Sequence, residues 1–229
     1  MRTRVFLAST EPLSDETVFN RLYAMATEVR KKKIDRYRFL RDRMQSLAAE
    51  GLLLFARKEA GLPASAFAYA YGKNGKPYFS DAPELCFNLS HSGNFVMLAV
   101  SDAPIGCDIE RIRTADDRVA RHIMTPEEFA AFCACEESER DAHFTGLWTA
   151  KESYLKACGE GILTDPAAIF IEAGPVPRIF RSGELMPFAL RTGAIPGYCY
   201  AVCREGELPA FETETVSLFD LFADDDSLS

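Results

Sequence analysis

The chain has 229 residues, 48% hydrophobic and 26% charged, with 26 Lys plus Arg against 34 Asp plus Glu and a formal net charge of −8. That length suits one large domain or two small ones packed together, and the composition supplies a proper core, which excludes disordered, collagenous, coiled-coil and low-complexity chains. The acidic balance argues against nonspecific binding of long nucleic acid, and no apolar run approaches the roughly 18 residues a membrane helix needs.

In chain order, Arg2 to Ala8 reads as a strand whose apolar stretch is too short for a secretory signal, so the chain is expected in the cytoplasm. Ser14-Asp15-Glu16 looks like a helix cap, followed by Val18, Leu22, Met25 and Val29 at helical spacing. A second helix is expected from about Asp35 to Ala60, with Leu40, Met44, Leu47, Leu54 and Phe55 as its buried stripe and Gly61 as its stop. Between Phe67 and Val100 the period shortens, and Asn74-Gly75 and Ser92-Gly93 mark tight turns between antiparallel strands. Ile105 to Ile112 reads as another strand. Thr125-Pro126-Glu127-Glu128 has a cap, a proline at the first helical position and acids in the first turn, and a long helix from about Glu139 to Cys158 ends at Gly159. Ile169 to Ile171, Arg178 to Arg181, Phe188 to Arg191 and Tyr198 to Cys203 read as strands again, before an acidic tail at Asp224 to Asp226. Each half runs from helix into sheet and no flexible linker divides them. The expected architecture is therefore α+β, with residues 1–104 and 105–229 forming two similar lobes packed as one unit.

The seven cysteines have no framework spacing, and with His91, His122 and His143 they form no recognisable zinc set, so they read as small core residues. Charge is distributed unevenly. Arg30, Lys31, Lys32, Lys33, Arg36, Arg38, Arg41 and Arg43 face only Asp35 and Asp42, a local charge of +6 on an acidic chain. A solvated helix face is the bland account; a dock for a small polyanion or an acidic partner is the sharper one.

Three constellations are chemically suggestive. In Ile105-Gly106-Cys107-Asp108-Ile109-Glu110, a strand puts both carboxylates on one side and Cys107 and Ile109 on the other, an arrangement suited to a hard cation such as magnesium. Chance alone supplies roughly one Asp-x-Glu per chain of this size. In Leu147-Trp148-Thr149-Ala150-Lys151-Glu152-Ser153-Tyr154-Leu155-Lys156, Glu152 and Lys156 lie one helical turn apart, as a surface ion pair or, with Trp148 on the same face, as part of a cleft. In Phe87-Asn88-Leu89-Ser90-His91-Ser92, preceded by Gly75-Lys76-Pro77, Ser90, His91 and Lys76 can donate to phosphate oxygens, although a lone histidine at a strand end is more often structural. Ser92 lacks the G-x-S-x-G elbow of a hydrolase triad.

In this order and separation the segments resemble the 4′-phosphopantetheinyl transferases of the surfactin-synthetase-activating type, over most of the chain. The resemblance implies two pseudo-symmetric α+β lobes with the active site in the cleft between them. It implies transfer of the phosphopantetheine arm of coenzyme A to a serine of an acyl or peptidyl carrier protein, with release of adenosine 3′,5′-bisphosphate, by a cytoplasmic monomer. By the same matching, Asp108, Glu110 and Glu152 would hold magnesium on the pyrophosphate, Glu152 would take the serine proton, and Lys156 would steady the transferring phosphate. Lys76, Ser90 and His91 would contact the nucleotide phosphates, Arg30 and Lys33 would reach the 3′-phosphate, and Lys151 would belong to the coenzyme A site. Gln45 stands where the family commonly has an arginine, and Arg41, one turn earlier, is the candidate replacement. A non-catalytic coenzyme A or carrier-protein binding module and a magnesium-dependent phosphohydrolase are the competing classes.

Overall fold

Val5, Phe6, Leu7 and Ala8 are all buried because their strand, β1 (Arg4–Ser9), has a core on each face. Phe6 and Ala8 enter the core beneath the N-terminal helices, and Val5 and Leu7 enter a second core toward the other lobe. The computed structural model describes residues 3–62, 69–72, 74–160, 164–219 and 221. Arg2, Phe67 and the acidic run at Asp224 to Asp226 lie outside them.

The first helix, α1 (Glu16–Met25), is capped by Asp15, which accepts from the backbone N–H groups of Thr17 and Val18. Val29 does not belong to it. A separate helix, α2 (Glu28–Arg36), starts at Thr27, whose hydroxyl caps Arg30 N while its own N–H and hydroxyl donate to Glu50. The long α3 (Leu40–Glu59) begins at Leu40 rather than Asp35, because Tyr37 and Phe39 are both extended. The capping chemistry of Thr27 thus separates Val29 from α1, and the extended Tyr37 and Phe39 divide the basic stretch between α2 and α3.

The hairpin β2 (Tyr69–Tyr71) and β3 (Pro77–Phe79) precedes β4 (Cys86–Ser92) and β5 (Phe95–Ser101). The N-terminal sheet has the order β12-β1-β5-β4, where β12 (Thr213–Thr215) runs parallel to β1 and is followed by Val216 and Leu218, both buried in the N-terminal core. A division at residues 104 and 105 therefore misplaces this last segment, which returns to the first lobe.

The second lobe is built on β6 (Ile105–Arg111), the central helix α6 (Glu137–Cys158), and the strands β10 (Phe188–Ile195) and β11 (Tyr198–Glu205), with the antiparallel order β10-β11-β6. A smaller antiparallel sheet comprises β7 (Ile169–Glu172), β8 (Arg178–Arg181) and β9 (Glu184–Leu185). Helix α4 (Asp117–Ile123) is absent from the periodicity reading, whereas α5 (Pro126–Ala134) starts with the Thr125–Glu128 capping box its sequence announces. Gly159, at φ 69°, ends α6.

Two contacts position the site. Helix α6 lies directly on β6: a Cβ at Gly106 would fall 2.0 Å from Ser153 O and 2.4 Å from Ala157 N, so only glycine permits this approach. Between the lobes, β4 and β6 are joined through side chains. Asn88 Oδ1 accepts from Cys107 N at 2.9 Å, Ser90 Oγ from Ile109 N at 3.3 Å and Ser92 Oγ from Arg111 N at 3.1 Å. Residues two apart on β4 thereby satisfy amides two apart on β6.

Candidate active site

The ladder between the lobes also orients the carboxylates. The Ser90 hydroxyl donates to Asp108 Oδ1 at 2.7 Å and the Ser92 hydroxyl donates to Glu110 Oε2 at 2.6 Å. Cys107 and Ile109 point the other way into the core, as strand alternation requires. Lys156 Nζ, from α6, donates to the same Asp108 Oδ1 at 2.6 Å and to Ser90 Oγ at 3.2 Å. Its ion pair is with Asp108 rather than with Glu152 one turn away, because the close seat of α6 on β6 brings the lysine over the strand. Desolvation is the largest single influence and works against the ammonium, but the charge of Asp108, its hydrogen bond and the further negative charge around it together raise the lysine above its ordinary pKa.

Glu152 lies half-buried on α6. Burial pushes its carboxyl above the usual range; Lys156 opposes the shift and the negative charges of Asp108 and Glu110 add to it. Among the described residues no His, Cys, Asp and Glu side chains are already gathered as a metal centre. The donor set nevertheless suits a hard cation. Asp108 Oδ2 is a buried carboxylate oxygen with no hydrogen-bond partner, on an acid row that Glu110 and Glu152 extend electrostatically.

The odd residues of β4 face elsewhere. Phe87, Leu89 and His91 line a cavity of about 310 Å³ whose other walls include Arg30, Lys33, Gln45 and Tyr71. Arg30 is held rigidly, with Nε donating to buried Glu50 Oε2 at 2.8 Å and Nη1 to Ser46 Oγ at 3.3 Å. Desolvation and then the charge of Arg30 lower the pKa of Lys33; desolvation, Lys156 and Lys33 lower that of His91. The cavity wall thus sets two cations, Arg30 and Lys33, and the hydrogen-bonding ring of His91 against one carboxylate, Asp42, a balance that favours an anion. A second cavity, of about 330 Å³, has Glu110, Arg113, Phe144 and Trp148 in its walls.

Four residues expected at the nucleotide are placed differently. Lys76 Nζ donates to the carbonyls of Ile105, Lys156 and Ala157, so its three protons are engaged away from the cavity. Lys151 is fully buried, donating to Glu128 Oε2 at 2.5 Å and to the carbonyls of Ile123 and Pro166. Arg41 points into solvent, 3.8 Å from Asp42, and is not among the residues that line the cavity. Ser90 faces Asp108 rather than the cavity, because strand alternation assigns it to the ladder. Gln45 does line the cavity, and its Nε2 donates to Gly93 O at 2.9 Å, joining α3 to the β4–β5 turn. Sequence reading missed Glu50 and Ser92; the alternation Asn88, Ser90, Ser92 is the signal that could have revealed Ser92, whereas nothing local marks Glu50.

Residues 11–103 match the N-terminal domain of a 4′-phosphopantetheinyl transferase, and residues 104–203 match the 4′-phosphopantetheinyl transferase superfamily. The chain is 30% identical over 222 residues to the 4′-phosphopantetheinyl transferase psf-1 of Bacillus pumilus, covering 93% of this chain and 95% of that one. It is 28% identical to the 4′-phosphopantetheinyl transferase Sfp of Bacillus subtilis, covering 84% of this chain and 87% of that one. A crystal structure of a holo-(acyl-carrier-protein) synthase from Bacillus anthracis in complex with CoA (3′,5′-ADP) is 24% identical, with a TM-score of 0.41, covering 46% of this chain and 97% of that one. With two lobes joined at an acid row and relatives at this identity over nearly its whole length, the chain belongs to the 4′-phosphopantetheinyl transferase family.

Proposed function

We propose that this protein transfers the 4′-phosphopantetheine arm of coenzyme A to a serine hydroxyl of an acyl or peptidyl carrier protein, as a magnesium-dependent cytoplasmic monomer. The observation that carries the reading is the row Ser90–Asp108–Lys156, with an unpartnered buried carboxylate oxygen, beside a cavity walled by Arg30, Lys33 and His91.

The cavity cations bind and orient the phosphorylated nucleoside end of coenzyme A. Asp108, Glu110 and Glu152 would hold the magnesium ion, which when bound supplies charge neutralisation at the pyrophosphate. Glu152, whose carboxyl burial makes more basic, takes the proton of the incoming serine hydroxyl. The serine oxygen forms its bond to the phosphorus that carries the pantetheine arm, the bond from that phosphorus to the bridging oxygen breaks, and adenosine 3′,5′-bisphosphate leaves with the electron pair. Lys156, with its ammonium held at Asp108 and Ser90, is available to the transferring phosphate oxygens.

The test is incubation with coenzyme A, magnesium and an apo carrier protein, read by intact mass. A carrier that gains the arm, with no gain in excess chelator, supports the reading. An unmodified carrier with coenzyme A intact indicates a binding module, and cleaved coenzyme A with an unmodified carrier indicates a phosphohydrolase.

A further inference from the structure

The hairpin β2–β3 forms one wall of the nucleotide cavity, through Tyr71, Gly75 and Pro77. Among the described residues three pairs, Tyr69 with Phe79 through Tyr71 with Pro77, define its ladder, and its turn is closed by Gly72 N donating to Lys76 O and Gly75 N to Gly72 O, both at 2.9 Å. A two-stranded ribbon holds its shape poorly without outside support.

Phe79 anchors one strand in the N-terminal core against Phe87, with ring centroids 4.4 Å apart, and the turn is held by the opposite lobe. Lys76 Nζ donates to Ile105 O at 2.9 Å, Lys156 O at 2.7 Å and Ala157 O at 3.1 Å. Asn74 Nδ2 donates to Gly159 O at 2.8 Å. Three of these four acceptors are among the last carbonyls of α6 and its cap, where helical donors run out and the negative end of the dipole lies, although Lys156 O also accepts from Gly159 N at 3.3 Å. The fourth opens β6, the strand of Asp108 and Glu110. One side chain therefore ties the cavity wall to both elements that carry the acid row.

We propose that Lys76, assisted by Asn74, is a positioning residue that moors the nucleotide-side hairpin to the C-terminal end of the catalytic helix and so sets the distance between the cavity and the reacting groups. The proposal rests on the reading of the cavity as the coenzyme A site. It differs from a phosphate-ligand role in chemistry: an ammonium with three carbonyl acceptors has no proton left for a phosphate.

The two roles separate in a measurement of kcat and KM for coenzyme A and 3′-dephospho-coenzyme A in the wild type, Lys76→Met and Asn74→Ala. A mooring role predicts that Lys76→Met raises KM for both donors by the same factor, up to the roughly 10²-fold that a misplacement of about 1 Å can cost, and lowers kcat less. Asn74→Ala shifts both KM values in the same direction by less. Hydrogen exchange adds a readout independent of turnover: the amides of Gly72 and Gly75 should exchange faster in both variants. If Lys76→Met instead collapses the preference for coenzyme A over the dephospho form, Lys76 is a phosphate ligand and the proposal is overturned. Unchanged KM values with unchanged exchange overturn it as well. Where Lys76→Met fails to fold, Asn74→Ala decides, because Asn74 is exposed, and native exchange at Gly72 and Gly75 in that variant sinks the mooring. A wild type that binds neither donor removes the coenzyme A reading itself, an outcome the exchange data distinguish from loss of the mooring.

Discussion

Glu152 shows how a single residue separates function from stability. Its folded pKa lies above the unfolded value, so the native state holds the proton more tightly. Stability therefore falls as pH rises from the unfolded to the folded pKa, and the whole penalty is present above the latter. In chelator at neutral pH, Glu152→Gln should melt at a higher temperature than wild type, with the difference closing as pH falls through that window. Turnover of the same variant should drop by about 10² to 10⁴, the usual contribution of a general base. A surface ion pair with Lys156 would give the opposite sign in melting temperature, and calorimetry across pH decides. Arg41 offers a contrast. With its side chain in solvent and Gln45 occupying the wall, Arg41→Ala should leave the ratio of kcat/KM for coenzyme A and 3′-dephospho-coenzyme A within about twofold of wild type. A collapse of that ratio would place the missing family cation at Arg41 after all.

At the scale of elements, the seat of α6 controls the site. Gly106→Ala drives a methyl group into the backbone of Ser153 and Ala157, which no rotamer change relieves. Overpacking of this kind costs about 1–3 kcal/mol and sometimes more. Because the helix must lift from the strand that carries Asp108, turnover should fall by about 10², the scale of a displacement of about 1 Å. Denaturant unfolding and steady-state kinetics on one preparation test both, and an active variant of normal stability would show that the helix can shift freely. Lys151 fastens the other side of α6. Its ammonium, desolvated and paired with Glu128, joins the helix to the ends of α4 and the 3-10 turn before β7, while Glu128 Oε1 accepts from Ile171 N. Lys151→Met leaves Glu128 buried and uncompensated, a loss of about 3–5 kcal/mol. KM for coenzyme A should stay within about twofold, because no contact in the cavity changes. A rise in KM without loss of stability would return Lys151 to the ligand site.

For the molecule as a whole, the two lobes share too much to behave separately. The Asn88, Ser90 and Ser92 ladder, the Lys76 and Asn74 contacts, and β12 with Val216 and Leu218 all cross between them. One cooperative thermal transition is expected, with calorimetric and van't Hoff enthalpies equal. Two resolved transitions would mean that the side-chain ladder contributes little to holding the lobes together. Among the described residues no helix is long and apolar enough to cross a membrane.

Much of this protein is written locally and so was legible in its sequence. Strand alternation at Cys107 to Glu110 determines that Asp108 and Glu110 share a side. Capping chemistry determines where α5 begins, and glycine at 159 determines where α6 stops. The helix-to-sheet change in each half marks two lobes. The tertiary structure decided what depends on partners distant along the chain. Lys76 and Lys151 have the charge of phosphate ligands, but a lysine goes where its protons find acceptors, and those were the carbonyls at the end of α6 and the carboxylate of Glu128. Ser90 was drawn to Asp108 for the same reason, and Lys156 chose Asp108 over the glutamate four residues away because α6 lies against β6 at Gly106. Residue type limits what a side chain can bond to, but which bond it makes depends on the groups that long-range packing brings within about 3 Å of its polar atoms.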